Sequence, residues 1–159
     1  VSEPNVRKRE LAERFGARAI DPRGGDLIET VRELTNGRRV ELLIDTAGAG
    51  EIFRQIPGLL RKQGTLLLYG HGHAGTDLSV LNNVQFLEPT IVSPVGASGG
   101  FARDGRPLTY VRALALLAGN QIEVAPWLTH AYESLAAVPA AFASGDHRAP
   151  DYIKGVVSL

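Results

Sequence analysis

The strongest chemical signals in the chain are three small-residue stretches, each placed after an aliphatic run. Asp45-Thr46-Ala47-Gly48-Ala49-Gly50 follows Val40 to Ile44, Gly70-His71-Gly72-His73-Ala74-Gly75 follows Thr65 to Tyr69, and Ser93-Pro94-Val95 follows Thr90-Ile91-Val92. At the carboxyl ends of parallel strands, loops of this kind let a flat ligand approach the backbone, because glycine has no Cβ to hold it off. The chemistry that fits is capture of a nucleotide-type ligand by backbone donors and acceptors, although other ligands use the same kind of crest. His71 and His73 make an H-x-H pair. With no adjacent carboxylate or third ligand it is a weak zinc signature, and a plain loop is the simpler reading. His130 stands two residues from Tyr132, a spacing open to a proton relay or to a hydrogen-bonded structural histidine. Glu3 precedes a helix start, where an acid complements the helix dipole. Lys8 lies in the run Arg7-Lys8-Arg9, and Lys154 in a terminal aliphatic run; both are also what a solvated surface provides. No residue presents itself as a nucleophile or general acid.

The elements that would position these residues alternate between short aliphatic runs and amphipathic stretches, the signature of a parallel sheet with crossover helices. Residues 1–3 read as the tail of a strand. A helix follows over 5–15, with Val6, Leu11, Ala12 and Phe15 as its buried stripe and Gly16 as its stop. Residues 17–21 read as a strand ended by Pro22. Asp26 with Glu29 has capping-box spacing ahead of a helix to Thr35, and Asn36-Gly37 closes it. A strand over 40–44 leads through the first loop to a helix over 51–62, which Pro57 is expected to kink or split. Gly64 opens the strand 65–69. A short helix over 78–86, a strand over 90–93, a loose glycine-rich stretch over 96–105 and a helix over 107–118 follow. Strands over 127–132 and 152–159 flank a last helix over 135–143.

Composition bounds what this arrangement can serve. The 159 residues carry 17 basic and 17 acidic side chains and no net charge, which removes the long-range field of a nucleic-acid binder. No apolar run approaches the roughly 20 residues of a membrane span. Cysteine is absent, so disulfides and thiolate metal sites are excluded within these residues. Methionine is absent and no signal peptide precedes the pattern; the expectation is a cytoplasmic protein whose start is missing. Of the 34 charged side chains, 22 fall in the first 62 residues. The charge-poor remainder is expected to bury surface against another domain or subunit.

Taken in order, Ser2-Glu3-Pro4-Asn5, Arg9-Glu10-Leu11-Ala12, Phe15-Gly16-Ala17, Ile20-Asp21-Pro22, Ile44-Asp45-Thr46-Ala47-Gly48, Gly64-Thr65-Leu66-Leu67-Leu68-Tyr69-Gly70, Leu128-Thr129-His130 and Ile153-Lys154-Gly155-Val156-Val157 closely resemble the medium-chain dehydrogenases. The branch they resemble is that of the zinc-dependent alcohol, polyol and threonine dehydrogenases. The resemblance runs over essentially the whole chain. It implies an α/β fold with a Rossmann-type doubly wound parallel sheet lacking its first strand and glycine-rich turn. Residues 1–118 would be part of an NAD-binding domain, and 119–159 would return to a GroES-like catalytic domain. Members of the family are about twice this length, so these residues are expected to be the carboxyl-terminal portion of a longer enzyme, with its zinc ligands upstream.

The resemblance also implies site residues, all of them for the cofactor NAD. Glu3 would accept the adenosine ribose hydroxyls and repel a 2′-phosphate, and Lys8 would lie near the same ribose. Ala47 and Gly48 would flank the adenosine. Pro22 matches a position beside the adenine, but ordinary turn chemistry is the better account of it. Gly70, His71, Ser93 and Val95 would face the nicotinamide with their backbone, and Lys154 would reach the pyrophosphate. No catalytic or metal-binding residue is assigned within the chain. The reaction implied is hydride transfer between a secondary alcohol or polyol and NAD, with zinc held upstream. Alternatives are a zinc-free quinone reductase of the same superfamily using NADPH, a non-catalytic NAD-binding module, and a fragment with no ligand. The segment 89–95 is the expected edge for a homodimer or tetramer, and 96–101 the expected substrate-side loop. Neither nucleic acid nor membrane is implied as a partner.

Overall fold

The computed structural model describes residues 1–70, 77, 79–94, 99–144 and 149–158. His71, His73 and Val95 lie outside them. The chain forms two compact units, Asp26–Thr109 and Val1–Gly25 with Tyr110–Leu159.

The central unit is built on a three-stranded parallel sheet. Its strands are β1 (Val40–Asp45), β2 (Leu60–Leu68) and β3 (Thr90–Val92), in the order β1-β2-β3. Before β1 comes helix α2 (Leu27–Leu34), the second in the chain. Asp26 caps it by accepting from Ile28 N at 2.8 Å and Glu29 N at 3.2 Å. Glu29 turns instead to Arg32 at 3.5 Å, so only half of the expected capping box forms. Gly37, at φ +78°, closes the helix as its position predicts.

Helix α3 (Gly50–Leu59) connects β1 to β2 and runs through Pro57 without being split there. Strand β2 starts five residues earlier than the sequence suggests. Its register jumps from Val40 opposite Leu60 to Leu42 opposite Thr65. The intervening residues bulge out, with Gln63 at φ +58° and its N–H donating to Leu87 O at 2.6 Å. Regular pairing begins where the sequence placed the strand. Helix α4 (Val80–Gln85) precedes β3.

Successive strand side chains point to opposite faces. One face of the sheet carries Leu66 into a core with Phe53, Ile56, Leu60 and Val84, and Leu43 and Leu68 pack against it. The other face presents Leu42 and Ile44 at 52% and 53% exposure. β1 and β3 are the edges of the sheet among the described residues. Residues 101–105, part of the stretch expected to be loose, instead close a tight turn with Arg106 and Pro107. Phe101 bridges Pro107, and Ala102 N donates to Arg106 O at 2.8 Å.

The second unit joins the two ends of the chain. Helix α1 (Val6–Arg14) is capped by Asn5, which accepts from Lys8 N at 3.2 Å, and Gly16 at φ +83° ends it. Of its expected stripe, Leu11 is buried, but Val6 is exposed and Phe15 stacks on Trp127 with centroids 5.9 Å apart. The strand expected over 17–21 reduces to one parallel bridge between Ser2 and Ile20. Helix α5 (Leu108–Ala118), which starts at the unit boundary, leads to β4 (Leu128–Tyr132), α6 (Val138–Ser144) and β5 (Lys154–Val157). β4 and β5 pair in parallel. No helix among the described residues is long and apolar enough to cross a membrane.

Candidate functional site

In the central unit the loops after β1 and β2 are fastened to each other. Asp45 ends β1 and is only 2% exposed. One oxygen of its carboxylate accepts from Ala47 N and Gly48 N, both at 3.0 Å. Its carbonyl accepts from Tyr69 N at 2.9 Å and Gly70 N at 2.7 Å. Gly70 packs so closely on the neighbouring loop that a Cβ there would sit 2.4 Å from Gly48 N and 2.8 Å from the carbonyl carbons of Thr46 and Ala47. The sequence logic is plain: an apolar strand ends in an acid whose side chain organises the amides that follow it, and only glycine fits opposite. Ala47, Gly48 and Gly70 are thus brought together. Ser93 is exposed just past β3.

In the other unit Glu3 is part-buried, and its Oε1 accepts from Asn5 N at 2.8 Å. This fixes the carboxylate at the mouth of α1, beside the turn carrying Lys8. Asn5 also donates through Nδ2 to Pro150 O at 2.8 Å, tying that mouth to the segment before Lys154. Lys154 begins β5, where its backbone N–H donates to Thr129 Oγ1 at 3.4 Å and its carbonyl accepts from the same hydroxyl at 3.3 Å. The side chains of Lys8 and Lys154 are exposed.

Behind Glu3 lies a network that the sequence did not suggest. Asp21 takes a bidentate grip on Arg23, with Nε at 3.0 Å and Nη2 at 3.1 Å, and pairs with Arg9 at 3.0 Å. Arg9 Nη1 donates to the carbonyls of Glu3 and Pro4, each at 2.8 Å. Arg23 also donates to the Pro4 carbonyl. Hydrogen bonds from the Arg23 side chain and its backbone N–H, with the positive charges of Arg23 and Arg9, hold the Asp21 carboxyl down to about 2. The signal available in advance was slight: an acid ending a short aliphatic run and an arginine two residues on.

His130 is hydrogen-bonded within its own unit. Its Nδ1 is 2.9 Å from Thr129 Oγ1, which accepts from Ile153 N, and its ring leans on Tyr152 with centroids 4.7 Å apart. Among the described residues no group of three or more His, Asp or Glu side chains gathers as a metal site, and the chain has no cysteine. These residues do not fit a zinc ion.

Comparison with known proteins adds three findings. The family model described as zinc-binding dehydrogenase matches residues 1–116. The L-threonine 3-dehydrogenases of Pyrococcus horikoshii and Pyrococcus abyssi are 27% and 26% identical over 145 residues, covering 89% of this chain and 39% of theirs. Among solved structures, a protein from Sinorhizobium meliloti described as a zinc-binding dehydrogenase, bound to NADP, superposes with a TM-score of 0.81 at 24% identity, over 99% of this chain and 44% of its own. The 2R,3R-butanediol dehydrogenase of Bacillus subtilis gives 0.78 at 17%, over 99% and 42%. The structural likenesses show the fold. The chain spans about two fifths of the length of each of these relatives.

Proposed function

Since the chain belongs to the zinc-binding dehydrogenase family, we propose that it is part of an oxidoreductase that moves hydride between a secondary alcohol or polyol and NAD. Residues 1–118 serve as most of the cofactor domain, and 119–159 return to the catalytic domain. Zinc, on this reading, is held by ligands outside these 159 residues.

The observation that carries the proposal is Glu3. Its carboxylate directly follows the bridge between Ser2 and Ile20, is part-buried, and is aimed by the Asn5 N–H. That is the placement needed to accept paired ribose hydroxyls and to repel a 2′-phosphate. The fastened loops of Ala47, Gly48 and Gly70 supply a rigid backbone surface of small residues at strand carboxyl ends, which fits a flat cofactor. Lys8 and Lys154 offer cations for its ribose and pyrophosphate. His71 and Val95 complete the nicotinamide side of this proposal. The nicotinamide supplies the hydride acceptor; the chain's own residues bind and orient it.

Replacing Glu3 with glutamine in the full-length enzyme is expected to raise the KM for NAD about tenfold, since a charge-assisted hydrogen bond is lost, and to narrow its advantage over NADP. Steady-state kinetics with both cofactors checks this, and an unchanged NAD KM refutes the ribose role.

We further propose that the protein forms a homodimer or tetramer through the segment 89–95, within which β3 is an edge strand. Ile91 and Val92 on that strand are 48% and 41% exposed, which favours continuation of the sheet into a second copy. Ile91→Lys should then shift the sedimentation boundary toward monomer, because a desolvated ammonium at a strand junction costs several kcal/mol.

A further inference from the structure

We propose that Asp21 is a specificity-determining residue of the dinucleotide site: its carboxylate ties the Arg9 and Arg23 guanidiniums to the Pro4 carbonyl and so withholds them from a ribose 2′-phosphate. The inference rests on the dinucleotide reading above and adds to it a second carboxylate, distant in sequence from Glu3, that sets which dinucleotide is accepted.

The argument starts from proximity. Arg9 bonds the carbonyls of Glu3 and Pro4, and Arg23 bonds that of Pro4. Both guanidiniums therefore lie within a residue of the carboxylate proposed to meet the ribose. Two guanidiniums at such a point are what recognition of a phosphate monoester uses, because the planar fork matches phosphate oxygens in pairs. What stands against that use is Asp21. It holds Arg23 through two side-chain hydrogen bonds and pairs with Arg9 at the same time. Arg23 also donates its backbone N–H to Asp21 Oδ1 at 3.0 Å, so carboxylate and guanidinium are locked within one turn.

Exposure separates the roles of the two arginines. The Arg9 side chain is 18% exposed and that of Arg23 67% exposed. Arg9 is therefore the fixed partner, and Arg23 the one able to swing toward a ligand once released. With its carboxyl held down to about 2, Asp21 stays charged throughout the range in which the enzyme works, so the tie does not loosen by protonation. Nothing in it favours NAD directly. It removes cations from reach of the competitor, which is discrimination by denying that competitor a partner.

The test is Asp21→Asn in the full-length protein, with dissociation constants for NAD and NADP measured side by side by fluorescence titration. The expected result is an affinity for NADP raised about tenfold, the effect of one additional charge-assisted hydrogen bond, with NAD changed less than about threefold. A merely structural role would weaken both nucleotides together and leave their ratio in place, and that outcome overturns the proposal. If Asp21→Asn does not fold, Arg23→Ala decides it, because a guanidinium already withheld by Asp21 contributes nothing to NADP binding in the unsubstituted protein. The affinities of that variant for NADP and NAD should match those of the unsubstituted protein; a selective loss of NADP affinity would show that Arg23 already reaches the 2′-phosphate and overturns the proposal. Should the unsubstituted protein bind neither nucleotide, the dinucleotide reading falls and this one with it. An unchanged ratio in an Asp21→Asn protein that still binds NAD sinks only the role of Asp21.

Discussion

Gly70→Ala destabilises the protein by about 3 kcal/mol or more and weakens dinucleotide binding with it. The added Cβ would lie 2.4 Å from Gly48 N and 2.8 Å from two carbonyl carbons of the facing loop, distances at which something must move. All three neighbours are backbone, so no rotamer change relieves the clash, and overpacking of this kind ordinarily costs about 1–3 kcal/mol even where side chains can adjust. Relief requires the loops to part, which stretches the bonds from Tyr69 N and Gly70 N to the Asp45 carbonyl. It would also shift the surface proposed to receive the cofactor. Urea denaturation reads the first effect as a lowered midpoint at unchanged slope, and the KM for NAD reads the second. Gly25→Ala is the control, because nothing lies within 4 Å of a Cβ there; it should be neutral or slightly stabilising.

Ile56→Ala is the second large effect. Ile56 is fully buried between Phe53, Leu60, Leu66 and Val84, where α3 seals one face of the sheet. Removing three carbons from a site closed on all sides costs their transfer free energy plus a cavity that the strands cannot collapse to fill, about 3–4 kcal/mol. Ile44→Ala on the opposite face removes the same atoms from a residue 53% exposed and should cost well under half as much. Equal losses in the two variants, measured by urea midpoint, would show that the covered face is not the core.

Much of this architecture was legible because its signals are local. The cap of α2 follows from Asp26 ahead of Leu27 and Ile28, the stops from Gly16 and Gly37, and the strand β1 from an almost unbroken aliphatic run. What escaped depends on partners far along the chain. Arg61 and Lys62 read as the end of a helix, yet with Gln63 they form a bulge held by Leu87, 24 residues after Gln63. Spacing places Phe15 on a buried stripe, but its partner is Trp127. The site divides the same way. Small residues at strand ends announced the fastened loops, and the ordered resemblance picked out Glu3. Neither composition nor spacing could show that the Asp45 carboxylate is buried under one loop while its carbonyl holds the next. Nor could they show that Asp21 reaches back to Arg9. Those facts exist only once the chain has closed on itself.

The uncovered side of the three-stranded sheet has a consequence for how the molecule behaves in crowded solution. Among the described residues Leu42 and Ile44 lie half bare on a strand that is also an outer rim of its sheet, so apolar surface and a strand edge coincide on one ribbon. Equal numbers of acidic and basic side chains leave no net repulsion between copies to keep such ribbons apart. In the longer enzyme of which these residues are proposed to be part, that ribbon is where a further strand would pair, and until it is covered encounters between copies favour coalescence.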